Sequence, residues 1–250
     1  MTRQRLDVTL VRSGLARSRG HAAELVDAGR VRVDGTPARK VSIPVGPEQR
    51  VDVAEGPDHV SRAGRKLAGA LDALEPLGLT VAGRSVLDAG ASTGGFTEEL
   101  LRRGARLVHA VDVGHDQLAP ELRTDPRVRS AEGVNVRHLA AGDLDPVPDL
   151  VVADLSFISL RLVLAPLAAV AEPGADLLLL IKPQFEVGRE RLGSGGVVRS
   201  ATDREAAVEA VLTEARELGW TSLDVRESVL PGPSGNVEHF AWWRTPREAS

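Results

Sequence analysis

Two charged residues stand at the ends of apolar runs. Asp154 closes Leu150-Val151-Val152-Ala153, and Lys182 follows Leu177-Leu178-Leu179-Leu180-Ile181. A lysine abutting five aliphatic residues is costly to desolvate unless paired, and desolvation moves an ammonium toward the range of a base. Asp154 is its natural partner, and such a pair does proton chemistry. The plainer reading of Lys182 is a strand-end lysine whose stem lies along apolar surface. Glu238, within Gly235-Asn236-Val237-Glu238-His239-Phe240, brings another acid near the C-terminus, with an ordinary edge-strand glutamate as its plain alternative. Lys66, in Ser61-Arg62-Ala63-Gly64-Arg65-Lys66-Leu67, reads by itself as the basic start of a helix. Of 31 Lys and Arg, only Lys40, Lys66 and Lys182 are lysines, so each retained lysine either marks a need for a compact, deprotonatable ammonium or survives by chance.

A second group of residues suits a nucleoside-containing cofactor. The strand Ser85-Val86-Leu87-Asp88 runs into Ala89-Gly90-Ala91-Ser92-Thr93-Gly94-Gly95-Phe96 and then into a helix. Glycines there let the backbone turn sharply and approach a ligand closely. Asp112, at the end of the next strand, could accept from both hydroxyls of a ribose. Ser92 holds the second glycine position of G-x-G-x-x-G, which weakens a dinucleotide reading without choosing S-adenosylmethionine. The same loop satisfies G-x-S-x-G, with Asp154 and His239 following in the order of an α/β-hydrolase triad. Position argues against a hydrolase, because that elbow normally follows several earlier strands of its sheet.

These residues need a sheet to gather them. From Arg62 onward, strands expected at 85–88, 107–111, 128–131, 150–154, 176–181, 223–229 and 237–243 alternate with helices, the clearest at 63–74, 95–103, 160–171 and 202–218. The expected fold is α/β, a mainly parallel sheet covered on both faces. The last two strands, joined by the short Pro231–Gly235 region, have no room for a crossover and should be antiparallel. Ahead of this body, helical stripes around Leu6–Val11 and at Ala22, Leu25 and Val26, the latter capped by Ser18, precede two alternating stretches and the turn signal Asp34-Gly35. The expected organisation is a small α+β domain over 1–55, a linker over 56–61 and the α/β domain over 62–250.

Charge separates the two parts. Through Lys66 there are 13 Lys and Arg against 8 Asp and Glu, a net +5, while the rest carries −9, which suggests that the head meets a polyanion. The chain has no cysteine and no pair among its six histidines at the i, i+4 spacing of a helical zinc site, so neither thiol chemistry nor a metal is expected. No stretch approaches a membrane span and no secretory signal opens the sequence, so a cytoplasmic protein is the expectation.

Five blocks, at 61–67, 88–96, 152–159, 181–186 and 235–240, follow the head in order. With them the sequence resembles the TlyA family, haemolysin-A-like ribosomal RNA 2′-O-methyltransferases dependent on S-adenosylmethionine, over essentially the whole chain. The departures are Ala63, where the family usually has glycine, and His239, where an aromatic is commoner. The resemblance implies a Rossmann-like class I methyltransferase sheet of FtsJ-like type behind an S4-like RNA-binding head. It implies that Lys66, Asp154, Lys182 and Glu238 form a catalytic tetrad, with Lys182 deprotonating or polarising the 2′-hydroxyl. It implies S-adenosylmethionine bound by Asp88, Gly90, Ser92, Thr93, Gly94, Gly95 and Phe96, by Asp112 at the ribose, and by Val134 and Asn135 at the adenine. It implies ribosomal RNA held by Arg5, Arg17, Ser18, Arg19, Lys40, Arg62 and Arg65, with cytidine targets in one or both ribosomal subunits. The glycine-rich loop 188–199 is expected to close over substrate. A non-catalytic ribosome assembly factor and a cytolysin are the competing classes; the intact Lys182, Asp154 and glycine loop oppose the first, and the lack of a span or a long amphipathic basic helix opposes the second.

Overall fold

The computed structural model describes residues 3–16, 19–27, 29–54, 60–232 and 234–247. The chain divides into two compact units, Met1–Arg62 and Ala63–Ser250.

In the first unit, α1 (Leu6–Arg12) and α2 (Arg19–Asp27) bury Leu6, Leu10, Ala22, Leu25 and Val26 together, the stripes expected from their helical spacing. Strand β1 (Gln4–Arg5) precedes α1, while β2 (Val31–Val33) pairs antiparallel with β3 (Thr36–Pro37) and β5 (Val51–Val53); β4 (Pro44–Val45) pairs with β1. Asp34 (φ +50°) and Gly35 (φ +77°) turn β2 into β3, the two left-handed residues that a tight hairpin requires. Ser18, expected to cap α2, and Arg17 lie outside the described residues.

The second unit opens within α3 (Arg62–Leu74), at Ala63, and contains a seven-stranded sheet. Its strands are β6 (Ser85–Ala89), β7 (Leu107–Asp112), β8 (Val128–Glu132), β9 (Leu150–Ala153), β10 (Asp176–Ile181), β11 (Thr221–Glu227) and β12 (His239–Arg244). Their order across the sheet is β11-β12-β10-β9-β6-β7-β8. Five neighbouring strands, β10 through β8, run parallel, and β12 is antiparallel to both β10 and β11. Every residue of β6, β9 and β10 is buried, which is why these segments are mostly apolar and do not alternate; their polar members are Ser85, Asp88 and Asp176. Helices α4 (Gly95–Arg102) and α8 (Ala201–Glu217) match the expected spans, and Ser200 caps α8 by accepting from Asp203 N–H. The helix expected over 160–171 is instead a 3-10 turn at Leu160–Leu162 followed by the short α6 (Leu164–Ala169). Pro166 has no N–H to give to Leu162 O and crowds that carbonyl, so an α-helix can begin only just ahead of it.

Two buried carboxylates tie the sheet together. At the start of β10, Asp176 Oδ1 accepts from Trp242 Nε1 (3.0 Å) and Arg244 Nη2 (2.8 Å), and its Oδ2 meets Arg84 Nη1 (2.8 Å). In β6, Asp88 is fully buried and accepts from Thr97 Oγ1 at 2.6 Å, joining β6 to α4. Burial pushes the Asp88 carboxyl up to about 7.

Two outcomes follow. The Asp88 value lies above the 3.8 of a free side chain, so the folded protein retains a proton that the unfolded chain loses, and this contribution to stability is full below about pH 4 and is lost as pH rises toward 7. Asp88→Asn should flatten the decline between pH 4 and 7, removing up to about 1.4 kcal/mol per pH unit relative to wild type, measured by urea unfolding across that range. Asp176→Ala leaves the donors of Trp242 and Arg244 without their acceptor and the Arg84 guanidinium without its counter-charge, and should cost about 2–4 kcal/mol in the same assay at neutral pH.

Candidate active site

The strand order reverses between β6 and β9, and a crevice outside the carboxyl ends of a parallel sheet forms at such a point. Register then fixes what meets there. Ala89 pairs with Ala153, so Gly90 and Asp154 emerge side by side. Gly90 has φ +86°, and a Cβ on it would come within 3.0 Å of Asp154 O; only glycine allows the two loops this approach. Strand β10 runs two residues beyond Leu179, the partner of Ala153, which carries Lys182 over Asp154. Ile181 pairs with His239 across the antiparallel ladder, so the next position along sets Lys182 beside Glu238.

The four expected tetrad residues meet as two ion pairs. Lys182 Nζ lies 2.6 Å from Asp154 Oδ1 and donates to Ser156 Oγ at 2.8 Å, with the Phe185 ring 5.9 Å away. Lys66, on α3, donates to Glu238 Oε2 at 2.5 Å, and Gln184 Nε2 donates to Glu238 Oε1 at 3.0 Å. The turn from Lys182 to Gln184 therefore touches both pairs. Lys66 and Glu238 are buried at 4% and 1% exposure, so they act beneath the surface. Glu186, at the end of α7 (Pro183–Glu186), accepts from Ser159 Oγ and Leu160 N, each at 2.6 Å, and so fastens the Lys182 turn to the loop that follows β9.

Beside Asp154 opens a cavity of about 710 Å³. Of the residues expected to hold a cofactor, Gly90, Ser92, Asp112, Val134 and Asn135 line it. Asp112 is held by Ser92 N–H (2.9 Å) and Gly114 N–H (2.7 Å), one on each oxygen, which leaves a lone pair on each for a ligand. Asp88, Gly94, Gly95 and Phe96 are buried behind the loop, and exposed Thr93 uses its carbonyl to accept from Ala119 N–H; none of these five is among the cavity's lining. Their part is to shape the loop: Gly94 has φ +97°, and a Cβ on it would overlap Leu122.

The cavity also takes in residues without an expected role: Gln117, whose Oε1 accepts from Ser92 Oγ at 3.0 Å, Arg137, Ser156 and Phe157. Phe157 is 92% exposed at φ +64° and stands 5.3 Å from the Phe185 ring. An aromatic residue held exposed in a left-handed conformation is costly, and such strain clusters at functional sites. That signal lies in backbone geometry, although Ser156 and Phe157 sit in a block already singled out.

The hydrolase reading fails on geometry. Ser92 Oγ donates to Gln117, Asp154 pairs with Lys182, and His239 Nδ1 has no hydrogen-bond partner among the described residues, so these three form no triad. The loop 188–199, expected to close over substrate, contains a turn in which Gly193 N–H donates to Val197 O, and buried Asn236 grips it through Val198 N–H (2.9 Å) and Gly196 O (3.0 Å).

In the first unit, Arg5 and Arg19 both donate to Asp7, which is 3% exposed and is held well below the usual carboxylate range, chiefly by Arg5. Both guanidinium groups remain about half exposed or more, and Lys40 is exposed. Arg62 and Arg65 lie in the first turn of α3. Among the described residues no group of three or more His, Asp or Glu could hold a metal ion, and no helix is long and apolar enough to cross a membrane.

Residues 59–245 match the FtsJ-like methyltransferase family and residues 4–51 match the S4 domain. A Mycobacterium tuberculosis protein named 16S/23S rRNA (cytidine-2′-O)-methyltransferase TlyA is 54% identical over 97% of this chain and 90% of its own length. A solved hemolysin-named structure from Streptococcus thermophilus superposes with TM-score 0.77 at 37% identity, covering 98% of this chain and 90% of that one. An S-adenosylmethionine-dependent methyltransferase from Mesorhizobium loti shares the fold at TM-score 0.52 and 16% identity, over 69% of this chain and 96% of its own. With its buried parallel strands, reversed strand order and charged rim, the chain belongs to the FtsJ-like methyltransferase family, in the TlyA group that carries an S4 domain.

Proposed function

We propose that this enzyme transfers a methyl group from S-adenosylmethionine to a ribose 2′-hydroxyl of ribosomal RNA, at cytidine in one or both ribosomal subunits, in the cytoplasm. The observation that carries the reading is the Lys182–Asp154 pair, whose Asp154 lines the same cavity as Asp112. The 54% identity to the mycobacterial protein, whose name states this chemistry, supports the substrate.

The cavity suits the cofactor. Both oxygens of Asp112 are pre-set to accept from ribose hydroxyls, Val134 and Asn135 flank the adenine position, and Gly90 and Ser92 offer backbone to the methionine part. Bound there, S-adenosylmethionine supplies a methyl on a positively charged sulfur. A ribose hydroxyl holds its proton far above neutral pH, so attack requires a group that takes or polarises that proton. Lys182 serves as that group, Asp154 holds it in charge balance, and Lys66 with Glu238 supports the floor beneath. The exposed Phe157 ring offers a face on which the target base can stack.

RNA docking falls to the head, residues 1–55, joined through 56–61 to the transferase domain at 62–250. Arg5, Arg19 and Lys40, with Arg17 and Ser18 from outside the described residues, meet phosphates, and Arg62 and Arg65 extend the contact.

Labelled methyl transfer to ribosomal subunits lacking the modification, paired with calorimetric cofactor binding, tests this. Lys182→Ala should lose about 10²–10⁴-fold in rate with cofactor affinity within about threefold of wild type. Asp112→Ala should weaken cofactor binding about 10–100-fold. Equal transfer by wild type and Lys182→Ala would overturn the assignment.

A further inference from the structure

The Lys182 ammonium has an unusual set of partners. Asp154 Oδ1, only 2.6 Å away, meets it as an ion pair and has no hydrogen-bond partner among the described residues. The Phe185 ring, 5.9 Å from Nζ, supplies a broad and non-directional attraction. Ser156 Oγ, at 2.8 Å, is the one directional acceptor of Nζ among the described residues. Charge balance therefore comes from Asp154, whereas orientation comes from Ser156.

The Ser156 hydroxyl has a second property. It accepts from Lys182, but among the described residues it donates to nothing, so its own hydrogen is unspent. It also lines the cavity together with Asp112 and Asp154.

We propose that Ser156 is a further catalytic residue of the methyl transfer, aiming Lys182 through its lone pair and giving its free O–H to the attacking ribose oxygen. This rests on the reading of Lys182 as the group that takes the ribose proton. The 2′-oxygen forms a bond to the methyl carbon as the carbon–sulfur bond breaks, and that bond's electron pair stays on sulfur. The Lys182 ammonium first yields one proton to water, and the 2′-hydroxyl proton then passes to the resulting amine and restores the ammonium. Ser156 keeps its own proton throughout and supplies a hydrogen bond that strengthens as negative charge develops on the oxygen. A Lys182 with charge balance but no director would sample orientations that miss the oxygen, and rate would fall while binding stayed.

The test uses the full-length enzyme in single-turnover transfer to unmodified ribosomal subunits, with Ser156→Ala, Ser156→Thr and Lys182→Ala in parallel. Affinity for S-adenosylhomocysteine and for RNA is measured on each variant. Ser156→Ala should slow transfer at least about tenfold with both affinities within about threefold of wild type, and Ser156→Thr, which retains the hydroxyl, should recover most of the rate. An Ala variant at wild-type rate, a loss that tracks either affinity, or a loss that Thr fails to restore would overturn the role of Ser156 while Lys182→Ala remained inactive. An active Lys182→Ala variant would instead bring down the reading on which it rests, and this proposal with it.

Discussion

An ammonium group stands at the end of a strand whose six residues are all buried. Lys182 is itself only 8% exposed, and a charge so placed is tolerable only where opposite charge and hydrogen-bond acceptors surround it. Much of the second unit's architecture supplies those partners. Strand β9 ends at the residue before Asp154, the next loop brings Ser156, and the antiparallel β12 delivers Glu238 to the adjoining position, where Lys66 from α3 neutralises it. Charges are also confined to the two ends of β10, since Asp176 at its start gathers Arg84, Arg244 and Trp242. The aliphatic run between is left to hydrophobic packing.

The same requirement constrains the backbone. Asp154 reaches its position because Gly90 lets the β6 and β9 loops approach, and Glu186 holds the Lys182 turn against residues 159–160. Asp112 is fixed by two backbone amides before any ligand arrives. Preorganisation of this kind lowers the reorganisation needed during reaction, because the groups that meet charge are already in place.

The parallel strands are legible because a strand buried on both faces reads as a near-continuous apolar run, as Leu177–Ile181 shows. The helix around Leu160–Ala171 was overextended because apolar spacing outweighed Pro166. Lys182 and Asp154 could be paired from the sequence, since both end apolar strands of one sheet. Lys66 and Glu238, 172 residues apart, could not be joined by any local pattern, and only family resemblance put them together. Asp88 shows the reverse failure: its place in a glycine-rich block suggested ligand contact, whereas it is buried against Thr97. Ser156 and Phe157 escaped notice because a hydroxyl's hydrogen-bond role and a left-handed φ appear only in three dimensions.

A rim of charges built in this way should deliver the methyl group to oxygen on a ribose. The most direct measurement is digestion of ribosomal RNA with alkali after labelled transfer by the full-length enzyme. A 2′-O-methyl group removes the nucleophile that alkali uses to cleave the adjacent phosphodiester, so the account predicts label in an alkali-resistant dinucleotide whose 5′ nucleoside is cytidine. Label recovered in single nucleotides would place the methyl on a base and contradict the account.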